Sequence, residues 1–324
     1  MSSPVPEITV VIPTYQRANR LPDLLRNLGN QSLAHRRFEV VVVDNCSTDN
    51  TSEVVTGLIP DLPYSLRLVR TSVNRGPAAA RNLGWHSASA PLVAFIDDDV
   101  EPRPGWLEAG LKAFDLQPQM GVIQGRTRVP KDMEHELHDY GPPRWEIFHT
   151  VECPTPYFEA CNIFYRRQAL EATGGFDETI GWWGEDTAAG WRAVGAGWDR
   201  GFAFEAMVTH PVERRGWAWF LRNGIREKNL IRLAVEYPDF RESAFWRPWS
   251  YRKVDAAFKT AVLGAVVGLR WRPALLLVLP YLWLQRPSIH HLSFFRLCVQ
   301  IPMVDAARSV GQLRGAITYR VFVI

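Results

Sequence analysis

The sequence predicts an α/β fold: a mostly parallel central sheet flanked by helices, followed by a C-terminal helical region of different character. Three observations carry this. Short, near-continuous runs of Val, Ile and Leu alternate with helix-like segments in the N-terminal part, the pattern of strands buried on both faces. Polar and acidic residues follow those runs directly. The charge balance also reverses along the chain, with 19 Lys/Arg against 28 Asp/Glu in residues 1–213 and 18 against 6 in residues 214–324.

At 324 residues, 47% hydrophobic and 22% charged, the composition is that of a globular chain of about two domains, which excludes disorder and low-complexity scaffolds. The expected strands are Ile8 to Ile12, Phe38 to Val43, Leu66 to Val69 and Leu92 to Ile96, with helices near 17–31, 50–58 and 77–88. Ligands of such sheets bind beyond the carboxyl ends of the strands. The residues there are Pro13, Thr14 and Tyr15, then Asp44 and Asn45, then Asn74 to Gly76, then Asp97, Asp98 and Asp99. Acidic groups therefore gather at one edge.

From about 119 to 213 the pattern is irregular, rich in Gly, Pro and Trp, with a Gly174-Gly175 turn and an amphipathic helix expected from Glu185. Beyond 216 the chain is Arg-rich, aromatic and aliphatic. The runs AVLGAVVGL and ALLLVLPYLWL are separated by Arg270-Trp271-Arg272-Pro273. Two Arg near the centre of a span would cost about 2.5–3.5 kcal/mol each, which disfavours a clean transmembrane helix. A pair of helices in the membrane interface fits better, with Arg at the phosphates. The division expected is therefore a domain over 1–215 and a basic, apolar helical region over 216–324, attracted to an anionic membrane surface.

Four Cys without C-x-x-C or zinc spacing read as reduced thiols. The N-terminus MSSPVPEITV lacks a basic segment followed by an apolar one, so a cytoplasmic location is expected. No nucleic-acid partner is expected, and the common nucleotide loops and the G-x-S-x-G elbow are absent.

The triplet Asp97-Asp98-Asp99 reads either as a solvated acidic turn or as a holder for Mg²⁺ or Mn²⁺, which suit oxygen ligands. In Trp182-Trp183-Gly184-Glu185-Asp186 a carboxylate beside aromatic surface could act as a general base, or the acids could simply complement a helix dipole. His210 reads as a metal ligand or a hydrogen-bonded structural residue. Arg214 and Arg215 read as a diphosphate contact or a solvated pair. Arg81, one turn inside a Gly-Pro helix entry, could reach a phosphate.

Taken in order, ITVVIPTYQRANRLPDLLRNLGNQ, EVVVVDNCSTDNT, NRGPAAARNLG, FIDDDVEP, GGFDE and WGED resemble the family 2 glycosyltransferases of the GT-A fold over residues 7 to about 215. The resemblance implies an inverting transferase that uses a nucleotide-diphospho-sugar. Pro13, Thr14 and Tyr15 would border the base, with Asp44 hydrogen-bonding it and Arg81 near the phosphates. Asp97 would contact the ribose or a Mg²⁺ or Mn²⁺ ion, Asp99 would bind that metal, and Asp98 could take one of these roles because three Asp are adjacent. Asp186 matches the family's base, with Glu185 beside it, and His210 falls where some relatives place a further metal or diphosphate ligand. Trp182 and Trp183 are acceptor-stacking candidates. The Gln-x-x-Arg-Trp motif of processive relatives is missing, with only an approximate echo at Glu213 to Trp217. Transfer of a single sugar to a lipid-linked or cell-surface glycan is therefore expected, at the inner face of the membrane. The competing expectations are a soluble enzyme acting on a small metabolite and a non-catalytic glycan-binding scaffold.

Overall fold

The structure is a computed structural model that describes residues 5–134, 146–147, 149–181, 183–289 and 295–323. It divides into two compact units, Met1–Pro130 with Phe148–Pro211, and Lys131–Ile147 with Val212–Ile324.

The first unit is built on an eight-stranded sheet. Strand β1 (Ile8–Thr14) pairs in parallel with β2 (Phe38–Asp44), which pairs in parallel with β3 (Ser65–Arg70). On its other side β1 runs parallel to β4 (Leu92–Ile96). Helix α1 (Leu21–Leu28) starts with Pro22 in its first turn, stops at Gly29, and buries Leu21, Leu24, Leu25 and Leu28. It is shorter than the 17–31 expected because Pro22 fixes its entry. Helices α2 (Thr51–Leu58) and α3 (Pro77–Ser87) lie close to the predicted ranges. A Cβ on Gly84 of α3 would lie 2.2 Å from Val11 Cγ1, so only glycine lets this helix seat on β1.

The remaining strands depart from a mostly parallel sheet. After β5 (Glu101–Pro102) and α4 (Trp106–Leu116) come β6 (Met120–Arg128), the short β7 (Glu146–Ile147), β8 (Asn162–Arg166), α5 (Arg167–Thr173), α6 (Glu185–Gly195) and β9 (Asp199–Thr209). The spatial order is β3-β2-β1-β4-β8-β6-β9-β5. Strand β8 runs antiparallel to both β4 and β6, and β6 runs parallel to β9, so the sheet is mixed. The region read as irregular thus supplies three strands of this sheet, β6, β8 and β9. Ile8, Val10, Ile12, Phe38, Val40, Trp106 and Phe164 belong to one continuous core.

In the second unit β7 pairs antiparallel with β10 (Glu213–Arg214), and helices cover Trp217–Arg226, Lys228–Glu236, Pro238–Ala244, Lys253–Gly268, Leu279–Ile289 and Ile301–Thr318. Its interior combines apolar residues such as Leu230, Ile231 and Phe240 with a buried polar network. Arg252 pairs with Glu227 and Asp255, each at 2.9 Å, and the buried Gln312 donates to both carboxylates. The two apolar runs form the helix Lys253–Gly268, a 3-10 turn Arg272–Val278 and the helix Leu279–Ile289. Leu269, Trp271, Leu276 and Trp283 on these runs are all more than half exposed. Among the described residues no helix is long and apolar enough to cross a membrane. All four cysteines are free thiols.

Candidate active site

The carboxyl ends of β1 and β4 meet at a hydrogen bond: Thr14 Oγ1 donates to Asp98 Oδ2 at 2.7 Å. This fixes the frame of the acidic triplet. Asp98 is held inward, and burial pushes its carboxyl up to about 7 despite the Thr14 hydrogen bond and Arg17. Asp98 also shares Arg17 with Asp99, at 3.3 and 3.6 Å, while Asp97 turns to a different partner. Asp97 Oδ1 accepts from Arg81 at 3.0 Å. Asp99 meets Arg17 and Arg20, both at 3.6 Å, and His210 Nε2 at 3.5 Å.

Arg81 carries the second connection. Its Nη1 donates to Glu185 Oε1 at 2.9 Å while its Nη2 holds Asp97. The guanidinium is buried, with its Nε without a partner, and Phe176 lies 5.6 Å from it. The expected contact with a phosphate thus gives way to an internal role: Arg81 joins the acidic triplet to the start of α6. Burial works against its charge, but Asp97 and Glu185 raise its pKa further.

Gly184, at φ 88°, turns the chain into α6, a conformation that favours glycine. The helix then presents Glu185 inward and Asp186 half-buried. Asp186 Oδ1 accepts from Thr187 N at 2.7 Å and Oδ2 from Ala160 N at 3.2 Å. Burial raises both carboxyls above the usual range, with Arg81 pulling each back. Of the two, Asp186 is the better exposed. Trp183 is half-buried beside this turn, and Trp182 lies outside the described residues.

His210 Nδ1 lies 2.9 Å from the Pro211 carbonyl, which can only accept, so Nδ1 carries the proton. In a neutral ring Nε2 then directs its lone pair at the Asp99 carboxylate 3.5 Å away. The pair thus places a carboxylate oxygen and an imidazole nitrogen side by side. No group of three or more His, Cys, Asp or Glu side chains converges as a metal site among the described residues. A divalent cation in such enzymes commonly takes one or two carboxylates and completes its shell with substrate phosphates and water. Asp99 and His210, 3.5 Å apart, are two donors of that kind, whereas Asp97, expected as a third, is held by Arg81 instead.

Asp44 differs from its expected role. Its carboxylate is fully buried and accepts from Ser47 N at 2.8 Å and from the Ser52 hydroxyl. It shapes the loop after β2 where an open acceptor for a base was expected. Pro13 is half-buried and Tyr15 exposed at the end of β1. Gln16 and Cys46, in the loops after β1 and β2, are non-glycine residues at φ 56° and 63°, a strain often kept at binding sites. Arg214 and Arg215 belong to the second unit, where Arg215 pairs with Glu213 at 2.6 Å.

Four participants escaped the sequence reading. Arg17 and Arg20 follow β1 directly, and basic residues there opposite an acidic triplet were a usable signal. His149 and Glu159 gave none. His149 Nδ1 lies 2.9 Å from Glu159 Oε2, and its ring is 4.6 Å from that of His210. Against the effect of burial, the Glu159 carboxylate pushes His149 up to about 9.

The family model for glycosyl transferase family 2 matches residues 9–174. The pre-mycofactocin glycosyltransferase of Mycobacterium tuberculosis is 30% identical over 246 residues, 72% of this chain and 48% of that protein. The validoxylamine A glucosyltransferase of Streptomyces hygroscopicus subsp. jinggangensis is 32% identical over 220 residues, 59% of this chain and 52% of that protein. The chain thus spans about half the length of these relatives. Among solved structures, the mannosyltransferase PcManGT of Pyrobaculum calidifontis, in complex with GDP-Man and Mn²⁺, aligns over 96% of this chain and 88% of its own at a TM-score of 0.64 and 23% identity. TarS 1-349 of S. aureus aligns over 97% and 91% at 0.55 and 18%. These likenesses establish the GT-A-like α/β fold.

Proposed function

The chain belongs to glycosyltransferase family 2, and on that premise we propose that it moves one sugar from a nucleotide-diphospho-sugar to an acceptor hydroxyl with inversion at the anomeric carbon. The observation that carries this reading is the Arg81 bridge, which holds the acidic triplet and the Glu185-Asp186 pair in one site.

Asp186 takes the acceptor proton as the acceptor oxygen forms its bond to the anomeric carbon. The bond from that carbon to the diphosphate breaks on the opposite face, and the nucleoside diphosphate leaves with the electron pair. A displacement of this kind inverts the centre. The transition state is oxocarbenium-like, so the surrounding carboxylates also favour it electrostatically. Glu185 stays paired with Arg81 and keeps the start of α6 in place.

Asp99 and His210 would hold a Mg²⁺ or Mn²⁺ ion, which when bound neutralises the diphosphate. Mn²⁺ accompanies GDP-Man in the PcManGT complex, which supports this assignment. Pro13, Thr14 and Tyr15 border the base. Trp183 stacks on the acceptor.

We further propose a lipid-linked or cell-surface glycan acceptor at the cytoplasmic face of the membrane, where residues 216–324 associate peripherally. The basic excess after residue 213 and the exposed Leu269, Trp271 and Trp283 support it. A second reading, a small soluble acceptor, is favoured by the likeness to the validoxylamine A glucosyltransferase. Flotation with vesicles containing anionic lipid separates them: co-flotation supports the first, and protein left at the bottom at low salt supports the second. A donor screen with Mn²⁺ or Mg²⁺ tests the reaction itself, the expected result being release of nucleoside diphosphate from one donor. Release from none would refute the proposal.

A further inference from the structure

Within the second unit a cavity of about 650 Å³ is lined by residues of four helices and of the loop between two of them, a volume typical of small-molecule sites. Phe245, Trp246 and Tyr251 form one wall, and Leu284 and Ile301 another. Its charged lining is Arg252, Lys253, Arg308 and Asp305.

The charges are not equivalent. Asp305 is already satisfied by the Tyr281 hydroxyl at 2.8 Å and by Arg308 at 3.3 Å. Arg252 meets Glu227 and Asp255, both at 2.9 Å, and Arg308 meets Glu227 at 3.5 Å, yet both side chains stay partly exposed and line the cavity. Lys253 is exposed and its ammonium takes part in none of the ion pairs found among the described residues. The wall therefore offers positive charge next to apolar and aromatic surface.

The rim has the same mixed character. Trp246 and Trp249 are 39% and 40% exposed, and the Arg247 guanidinium lies 5.2 Å from the Trp246 ring. The helix that supplies Leu284 also turns Leu282 and Trp283 to solvent, at 53% and 59% exposure. Apolar surface thus runs along the element that lines the cavity. Trp and Arg arranged in this way are the side chains that suit the boundary between headgroups and acyl chains.

We propose that this cavity binds the phosphate and the first stretch of the chain of a single-chain lipid phosphate, and so anchors a lipid-linked acceptor. Lys253, with the open edges of Arg252 and Arg308, meets the phosphate. Phe245, Trp246, Leu284 and Ile301 cover the chain. The volume suits one chain better than a diacyl lipid. This inference rests on the lipid-linked reading of the acceptor.

The test is calorimetric titration of the full chain, at constant detergent and without sugar donor, with decyl phosphate, decanol, inorganic phosphate and dioctanoyl phosphatidylglycerol. Saturable binding of one decyl phosphate per chain is expected, at least tenfold tighter than the other three. Lys253→Glu and Trp246→Ala should each weaken it at least tenfold. Lys253 is exposed, so its variant folds and keeps the test decisive if Trp246→Ala does not. Equal binding by native protein and Lys253→Glu overturns the proposal. Phosphatidylglycerol binding as tightly as decyl phosphate also overturns it, by assigning the cavity to bulk headgroups. Decyl phosphate that fails to bind a chain that still releases nucleoside diphosphate removes only this inference, whereas retained binding without turnover of any donor removes only the proposed reaction.

Discussion

Arg81 and Glu185, 104 residues apart in sequence, form a buried ion pair at 2.9 Å. The same guanidinium holds Asp97 at 3.0 Å, so one side chain joins α3, the end of β4 and the start of α6. Removing one member of such a pair leaves a buried charge uncompensated, at a cost of about 3–5 kcal/mol. Arg81→Ala should lower stability by about that amount in urea unfolding, and Glu185→Gln in the same chain should recover part of it. A loss below about 1 kcal/mol would show that the pair is solvated.

A second structural prediction concerns the seat of α3. Gly84→Ala would bring a methyl to 2.2 Å from Val11 Cγ1, and overpacking of this kind costs about 1–3 kcal/mol. The urea midpoint should fall, and an unchanged midpoint would show that the helix lifts freely from the sheet.

The pH profile follows from the environment of Asp186. Burial raises its carboxyl while Arg81 lowers it. A base works only when ionised, so kcat/KM should fall as pH drops through that raised pKa. The acid limb should therefore lie above the ordinary Asp value of about 3.9. In Arg81→Gln the limb should move to still higher pH. A shift to lower pH in that variant would exclude Asp186 as the titrating group.

His149 gives a stability prediction of opposite sense. Its pKa is raised to about 9 by Glu159, so the pair stabilises the fold fully below the unfolded value of about 6.5 and loses that contribution as pH rises to about 9. The melting temperature should decline over this window, more gently than a buried pair would give, because the His149 side chain is 38% exposed. Glu159→Gln should flatten the decline. An equal slope in both proteins would mean that His149 titrates normally.

How much of this was legible beforehand depended on where each residue's partners lie. The strands β1, β2 and β4 and the polar residues at their carboxyl ends were readable because burial on both faces demands continuous apolar runs. Strand β8, NIFYR, and strand β9, DRGFAFEAMVT, carry polar residues and glycine. Their membership of the sheet depends on tertiary pairing, and so the antiparallel insertion of β8 between β4 and β6 was missed. The acidic triplet and Glu185-Asp186 were visible as local clusters. The inward role of Arg81, the closure of Asp44 by Ser47 and Ser52, and the His149–Glu159 pair each involve a contact that a linear reading does not contain.

The proposed role of Asp186, as the base in a site assembled by Arg81, is the step on which the mechanism turns. It is tested most directly by comparing native protein with Asp186→Asn in nucleoside-diphosphate release at saturating donor and acceptor, with donor affinity measured alongside. The variant should lose about 10²–10⁴-fold in kcat, the usual contribution of a general base, with donor affinity unchanged. A variant that turns over at the native rate would contradict it.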